Sequence, residues 1–137
     1  MLRERGQTNM LLNQTSYEVV PDKLIIDSKH PLDVKTVKIK TNQGIVKRGT
    51  ILSLVSPTNE YVVYGSTLQE GETSKANCVV SDEVDTTSTG TDVVVTVYIS
   101  GNLNRNELIV KEGATLSAAS IEELRASGIF VTSSINE

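Results

Sequence analysis

Two runs of residues constrain the fold of this chain more than any other feature. Residues 34–40 read Val-Lys-Thr-Val-Lys-Ile-Lys, with Val37 and Ile39 alternating with Thr36, Lys38 and Lys40. A period of two sends apolar side chains to one face of an extended strand and charges to the other, whereas a helix would scatter them around its circumference. The second run, Val93-Val94-Val95-Thr96-Val97-Tyr98-Ile99, is β-branched throughout apart from one tyrosine. Such side chains lose rotamer freedom in a helix and pack well on a pleated surface. Turn residues follow both runs, Asn42-Gln43-Gly44 after the first and Ser100-Gly101-Asn102 after the second, so each strand is expected to stop there.

The rest of the chain extends this pattern. Residues 50–55 form a third candidate strand, preceded by Lys47-Arg48-Gly49 and stopped by Ser56-Pro57-Thr58-Asn59, and Tyr61-Val62-Val63-Tyr64 reads as its hairpin partner. Ala76-Asn77-Cys78-Val79-Val80 reads as a short interior strand. Residues 81–92, Ser-Asp-Glu-Val-Asp-Thr-Thr-Ser-Thr-Gly-Thr-Asp, hold too little apolar material to pack and are expected as an exposed loop. Gly44, Gly49, Gly65, Gly71, Gly90 and Gly101 are all expected at turns. One helix is expected near residues 118–127, capped either at Ser120, where Ser120-Ile121-Glu122-Glu123 matches a capping box, or a turn earlier at Ser117. Gly128 would end it in left-handed geometry, and Ile129-Phe130-Val131 reads as a last short strand. The expected fold is mainly β with one short C-terminal helix, a small β-sandwich or barrel-like mixed β domain.

The first part of the chain differs in character. Residues 7–16 are rich in Asn, Gln and Thr, broken by Met10-Leu11-Leu12, and Tyr17-Glu18-Val19-Val20-Pro21 is extended by composition. A length of 137 residues holds one domain, not two. The division is therefore an extended N-terminal arm over residues 1–33 and a β-rich body over residues 34–137, with residues 23–26, Lys-Leu-Ile-Ile, as a strand tying one to the other. No signal peptide or membrane span is read at the N-terminus, because its charged start is followed by no long apolar run.

Chemistry is thin. Aromatic residues make up 4% of the chain and Trp is absent, so stacking sites for bases, sugars or flavins have little material. The net charge of -4 disfavours nucleic acid, whose binding draws on Lys and Arg density. Cys78, the single cysteine, cannot form an internal disulfide and sits in an apolar strand, which reads as a buried structural thiol made in a reducing cytoplasm. His30, the single histidine, stands before Pro31 and reads as a surface residue rather than a zinc ligand. The acidic group Asp82, Glu83, Asp85 and Asp92 lacks the alternating spacing and terminal Glu of a calcium loop. Lys47-Arg48 and the pair Arg3 and Arg5 read as solvated charges. No catalytic residue, cofactor site or metal site is expected, and the chain is not expected to be an enzyme.

Three further stretches carry a likeness. Gly44-Ile45-Val46-Lys47-Arg48-Gly49-Thr50-Ile51-Leu52 has the pattern G-x-x-x-x-G-x-hydrophobic across a turn and a strand. Val97-Tyr98-Ile99-Ser100-Gly101-Asn102-Leu103-Asn104 is a valine-tyrosine strand followed by Gly, a variable residue, an apolar residue and Asn. Ile121-Glu122-Glu123-Leu124-Arg125-Ala126-Ser127-Gly128-Ile129-Phe130-Val131 carries Leu-Arg, two residues, then Gly-Ile. With Tyr17-Glu18-Val19-Val20-Pro21-Asp22-Lys23-Leu24 ahead of them, these resemble, in order and spacing, the segments of the lambda-like phage head decoration (capsid-stabilising) family. Family members usually carry Phe where this chain has Leu103, a departure that keeps an apolar plug.

The resemblance implies a virion structural protein on the outer surface of an icosahedral head, assembled as a homotrimer at three-fold and quasi-three-fold positions. Its partner would be the major capsid protein, bound by an arm that orders on contact, with no nucleic acid, membrane or cofactor involved. The arm residues expected to touch the capsid are Met10, Leu11, Leu12, Tyr17, Val19, Val20 and Pro21. The alternative is an adhesive module whose loop at residues 82–92 binds a host surface or glycan.

Overall fold

A computed structural model describes residues 23–26, 31–87 and 92–133. It contains β1 (Asp33–Ile39), β2 (Ile45–Val46), β3 (Ile51–Ser56), β4 (Tyr61–Val63), β5 (Thr73–Val80), β6 (Val84–Asp85), β7 (Val93–Asn104), α1 (Ala118–Ser127) and β8 (Ile129–Thr132), with a 3-10 turn over Arg105–Glu107. The fold is mainly β with one helix near the C-terminus. Strands run in the order β1-β4-β3-β5-β7, and β7 returns to pair antiparallel with β1 from Ile39↔Val93 to Asp33↔Ser100. The sheet thereby closes into a small five-strand barrel, which removes the free edges that an open sheet of this size would present.

Two apolar clusters follow from the alternation of side chains along the wall. Val37, Ile39, Leu52, Val63, Cys78, Val80, Val95 and Val97, drawn from all five barrel strands, fill the interior with Val46. Their neighbours Ile51, Val79 and Tyr98 point outward and are covered by Leu103, Leu124, Ile129 and Leu24. Because α1 and β8 roof only part of the outer face, Val79 of β5 and Tyr98 of β7 are buried there while Val94 of β7 stays 57% exposed. The near-continuous apolar run of residues 93–99 therefore reflects the strand preference of β-branched side chains as well as burial.

Three expectations need correction, and one choice the sequence left open is settled. The strand from Val93 does not stop at Ser100-Gly101-Asn102; it continues to Asn104. Gly101, at φ +142°, is a bend inside β7, where the strand leaves its barrel partners and pairs in parallel with β8 from Gly101↔Ile129 to Asn104↔Thr132. The interior strand at Ala76 begins earlier, at Thr73, because its polar first half pairs with the end of β3 through Ser56↔Thr73.

Residues 81–92 are not wholly an exposed loop. Val84–Asp85 pairs with Ile45–Val46, and Ser81 and Thr86 are buried. The Thr86 hydroxyl donates to the Gly44 carbonyl at 2.8 Å and accepts from the Gln43 amide at 2.9 Å. Polar side chains bury here because backbone groups satisfy them, a possibility that an apolar count overlooks. Finally, of the two caps open in the sequence, Ser117 holds the position: its hydroxyl accepts from the Ser120 amide at 3.1 Å. Glu123 does not reach back to Ser120; its carboxylate accepts from the Ala76 amide of β5 at 2.9 Å. Gly128 ends α1 in the left-handed region at φ +109°, as expected.

Candidate functional site

The arm residues expected to contact a partner, Met10, Leu11, Leu12, Tyr17, Val19, Val20 and Pro21, lie outside the described residues, as do His30 and Gly90. What the structure places is the point where the chain following them enters the body. Leu24 is buried in the outer cluster with Leu103, Leu124 and Ile129. Main-chain bonds hold it on both sides: the Asn104 amide donates to the Leu24 carbonyl at 2.7 Å, and the Ile26 amide donates to the Asn102 carbonyl at 3.0 Å. Between them Ile25 makes a single antiparallel bridge to Leu103, less than the strand expected for residues 23–26.

Asn104 joins three segments. Its backbone takes Leu24, its side-chain amide donates to the Lys23 carbonyl at 3.1 Å, and its side-chain oxygen accepts from the Asn106 amide at 3.0 Å, capping the 3-10 turn. Two residues earlier the Asn102 side-chain oxygen accepts from the Thr132 hydroxyl at 2.7 Å and ties β8 to the same strand. Gly49, at φ +96°, closes the site from the other side: a Cβ there would lie 2.8 Å from the Glu107 carbonyl oxygen and 3.8 Å from Leu24 Cδ1. The three body stretches singled out by resemblance thus meet around Leu24, the first through Gly49, the second through Leu103 and Asn104, the third through Leu124 and Ile129.

The electrostatics of the body are structural in kind. Burial pushes the Cys78 thiol up to about 12, against a smaller opposing pull from Lys35. Burial likewise raises the Tyr61 hydroxyl. The Asp85 carboxyl is held below its ordinary range by hydrogen bonds from the backbone and side chain of Thr87. Arg48 departs from the solvated reading: its guanidinium donates to the Ser81 carbonyl at 3.0 Å and to the Tyr98 hydroxyl at 2.6 Å, and lies 5.4 Å from that ring's centre. Sequence gave no cue to this, since Tyr98 and Arg48 are fifty residues apart.

Among the described residues, no three His, Cys, Asp or Glu side chains gather as a metal site, and no helix is long and apolar enough to cross a membrane. An open hollow of about 630 Å³ runs between β5 and α1 past Leu54, Ser74, Lys75, Ala76, Glu123 and Ala126. Its polar groups form no nucleophile-and-base pair.

A search among individually curated proteins finds no match. The family model described as bacteriophage lambda head decoration protein D matches residues 13–129, a span that takes in the Leu24 anchor, the barrel and α1. The chain therefore belongs to the lambda head decoration protein D family, a family of capsid-associated structural proteins.

Proposed function

We propose that this chain is a cement protein, made in the host cytoplasm, that binds the outside of an icosahedral phage head and stabilises the expanded capsid. In this reading it acts as a homotrimer at three-fold and quasi-three-fold axes, and the part of the N-terminal arm (residues 1–33) that precedes the Leu24 anchor engages the major capsid protein. The observation that carries the reading is the anchor at Leu24. A cement must pass load from its contact with the lattice to its own body. Here tension on the residues before Lys23 meets a buried leucine and main-chain bonds to β7 before it can peel the chain away.

Extended chain suits such a contact, because main-chain hydrogen bonds to an exposed strand supply affinity and alternate side chains select the partner. Three arms on one trimer would make the second and third contacts intramolecular and raise avidity by about 10² to 10⁴ over one arm. Binding confined to the expanded lattice stabilises that state by linkage, about 2.7 kcal/mol per site at a hundredfold excess over Kd.

Deleting residues 1–21 should abolish co-sedimentation with expanded heads while the body stays folded by circular dichroism. Unchanged binding would overturn the arm mechanism. Adhesion to a host polymer through residues 82–92 would survive that deletion and be lost when the loop is replaced by a short turn.

A further inference from the structure

Five large apolar side chains are exposed among the described residues: Leu32, Val34, Ile45, Val94 and Ile109. Two of them come together from distant parts of the chain. Ile45 stands opposite Asp85 in the β2–β6 pair, and since Val46 points into the barrel core, Ile45 and Asp85 face outward side by side. Ile109 reaches the same place because its carbonyl accepts from the Ile51 amide and its amide donates to the Gly49 carbonyl, both at 2.9 Å. Ile45, 58% exposed, and Ile109, 37% exposed, line one open hollow of about 250 Å³ floored by Val46 and Val63.

The rim of this hollow decides what fits it. Lys111 and Glu112 line it and Asp85 adjoins it. The ion pairs among the described residues, Lys40 with Glu60 and Arg125 with Glu122, involve none of the three. An apolar centre with a polar rim has the anatomy of a protein interface. A nucleic acid or a membrane surface would call for charge of one sign. Charges of both signs on one patch, none of them in an ion pair, instead let a cation of one copy meet an anion of the next head to tail around a closed ring of copies. The patch is also held ready: the turn that carries Ile45 is clamped by the buried Thr86 hydroxyl.

We propose that the Ile45 and Ile109 face is where copies of this chain meet, with Lys111 of one protomer against Asp85 or Glu112 of the next. The proposal rests on the trimer reading above and deepens it by naming the surface.

Sedimentation of the full chain tests it. The wild type should assemble, Ile45→Asp should raise the concentration needed for assembly by about tenfold or more, and Val94→Asp, 57% exposed and not part of the lining of the hollow, should leave it unchanged. A monomeric wild type would overturn the trimer reading itself. An assembled wild type with an equally assembled Ile45→Asp would overturn this surface alone, as would an effect of Val94→Asp as large as that of Ile45→Asp. If Ile45→Asp loses its fold by circular dichroism, the exposed Lys111→Glu decides: weakened assembly supports the surface and unchanged assembly overturns it.

Discussion

Gly128 stands at φ +109°, and a Cβ built on it would lie 2.8 Å from the Ile99 carbonyl oxygen. A backbone atom inside a sheet cannot move aside, so Gly128→Ala combines left-handed strain with a fixed clash and should cost about 2–4 kcal/mol in urea unfolding. Gly101→Ala, at φ +142°, meets instead the Leu32 Cδ2 at 2.5 Å. Leu32 is exposed and flexible at its end, so the cost should be smaller, about 1–2 kcal/mol; the reverse order would refute this account of the two sites. Cys78 offers a pH test. The unfolded thiol ionises near its ordinary 9.0, whereas burial holds the folded thiol to about 12. The folded state thus favours the protonated form, and that contribution is complete below pH 9 and lost as pH rises from 9 to 12. The unfolding free energy of the wild type minus that of Cys78→Ala should fall across this window, and a flat difference would contradict it. The buried thiol was legible in the sequence because it sits in an apolar run, but Arg48 on Tyr98 was not, because the barrel alone brings them together.

Among the elements, β7 does the most. Its first half closes the barrel against β1 and β5, and its second half pairs with β8 on one side and receives the Ile25 bridge on the other. Sequence showed the apolar first half plainly. The polar second half, Gly101-Asn102-Leu103-Asn104, looked like a turn because Asn and Gly usually make one. Here the Asn side chains are consumed by Thr132, Lys23 and Asn106, which lets them stay extended and buried. The anchor built on this half predicts that Leu24→Ala, which empties a buried position, costs about 2–4 kcal/mol. It should also speed amide exchange at Ile26 and Asn104 ahead of the barrel amides. Uniform acceleration across all strands would mean that the anchor is not a separable element. For α1 the sequence left two caps open, and packing chose between them: Ser120 is buried, sharing a 2.6 Å hydrogen bond with the Tyr64 hydroxyl, which leaves Ser117 as cap.

At the scale of the whole molecule, the Leu24 anchor distinguishes two truncations. Removing residues 1–22 should leave the thermal midpoint of the body close to that of the full chain, whereas removing residues 1–26 takes Leu24 out of the core and should lower it by several degrees. Equal midpoints for the two truncations would show that Leu24 is not part of the cooperative unit. By itself the sequence determined the mainly β class, the helix with its Gly128 stop, and the family, because period-two alternation, cap chemistry and turn residues act over a few neighbouring positions. Only the tertiary structure decided that the strands close into a barrel and that β7 runs through Gly101. It also decided that three distant stretches meet around Leu24 and that Ile45 and Ile109 share one face. Those outcomes depend on which backbone groups pair between segments well apart in the chain, from Gly101 with Ile129 to Ile25 with Leu103, and local pattern carries no information about such a partner.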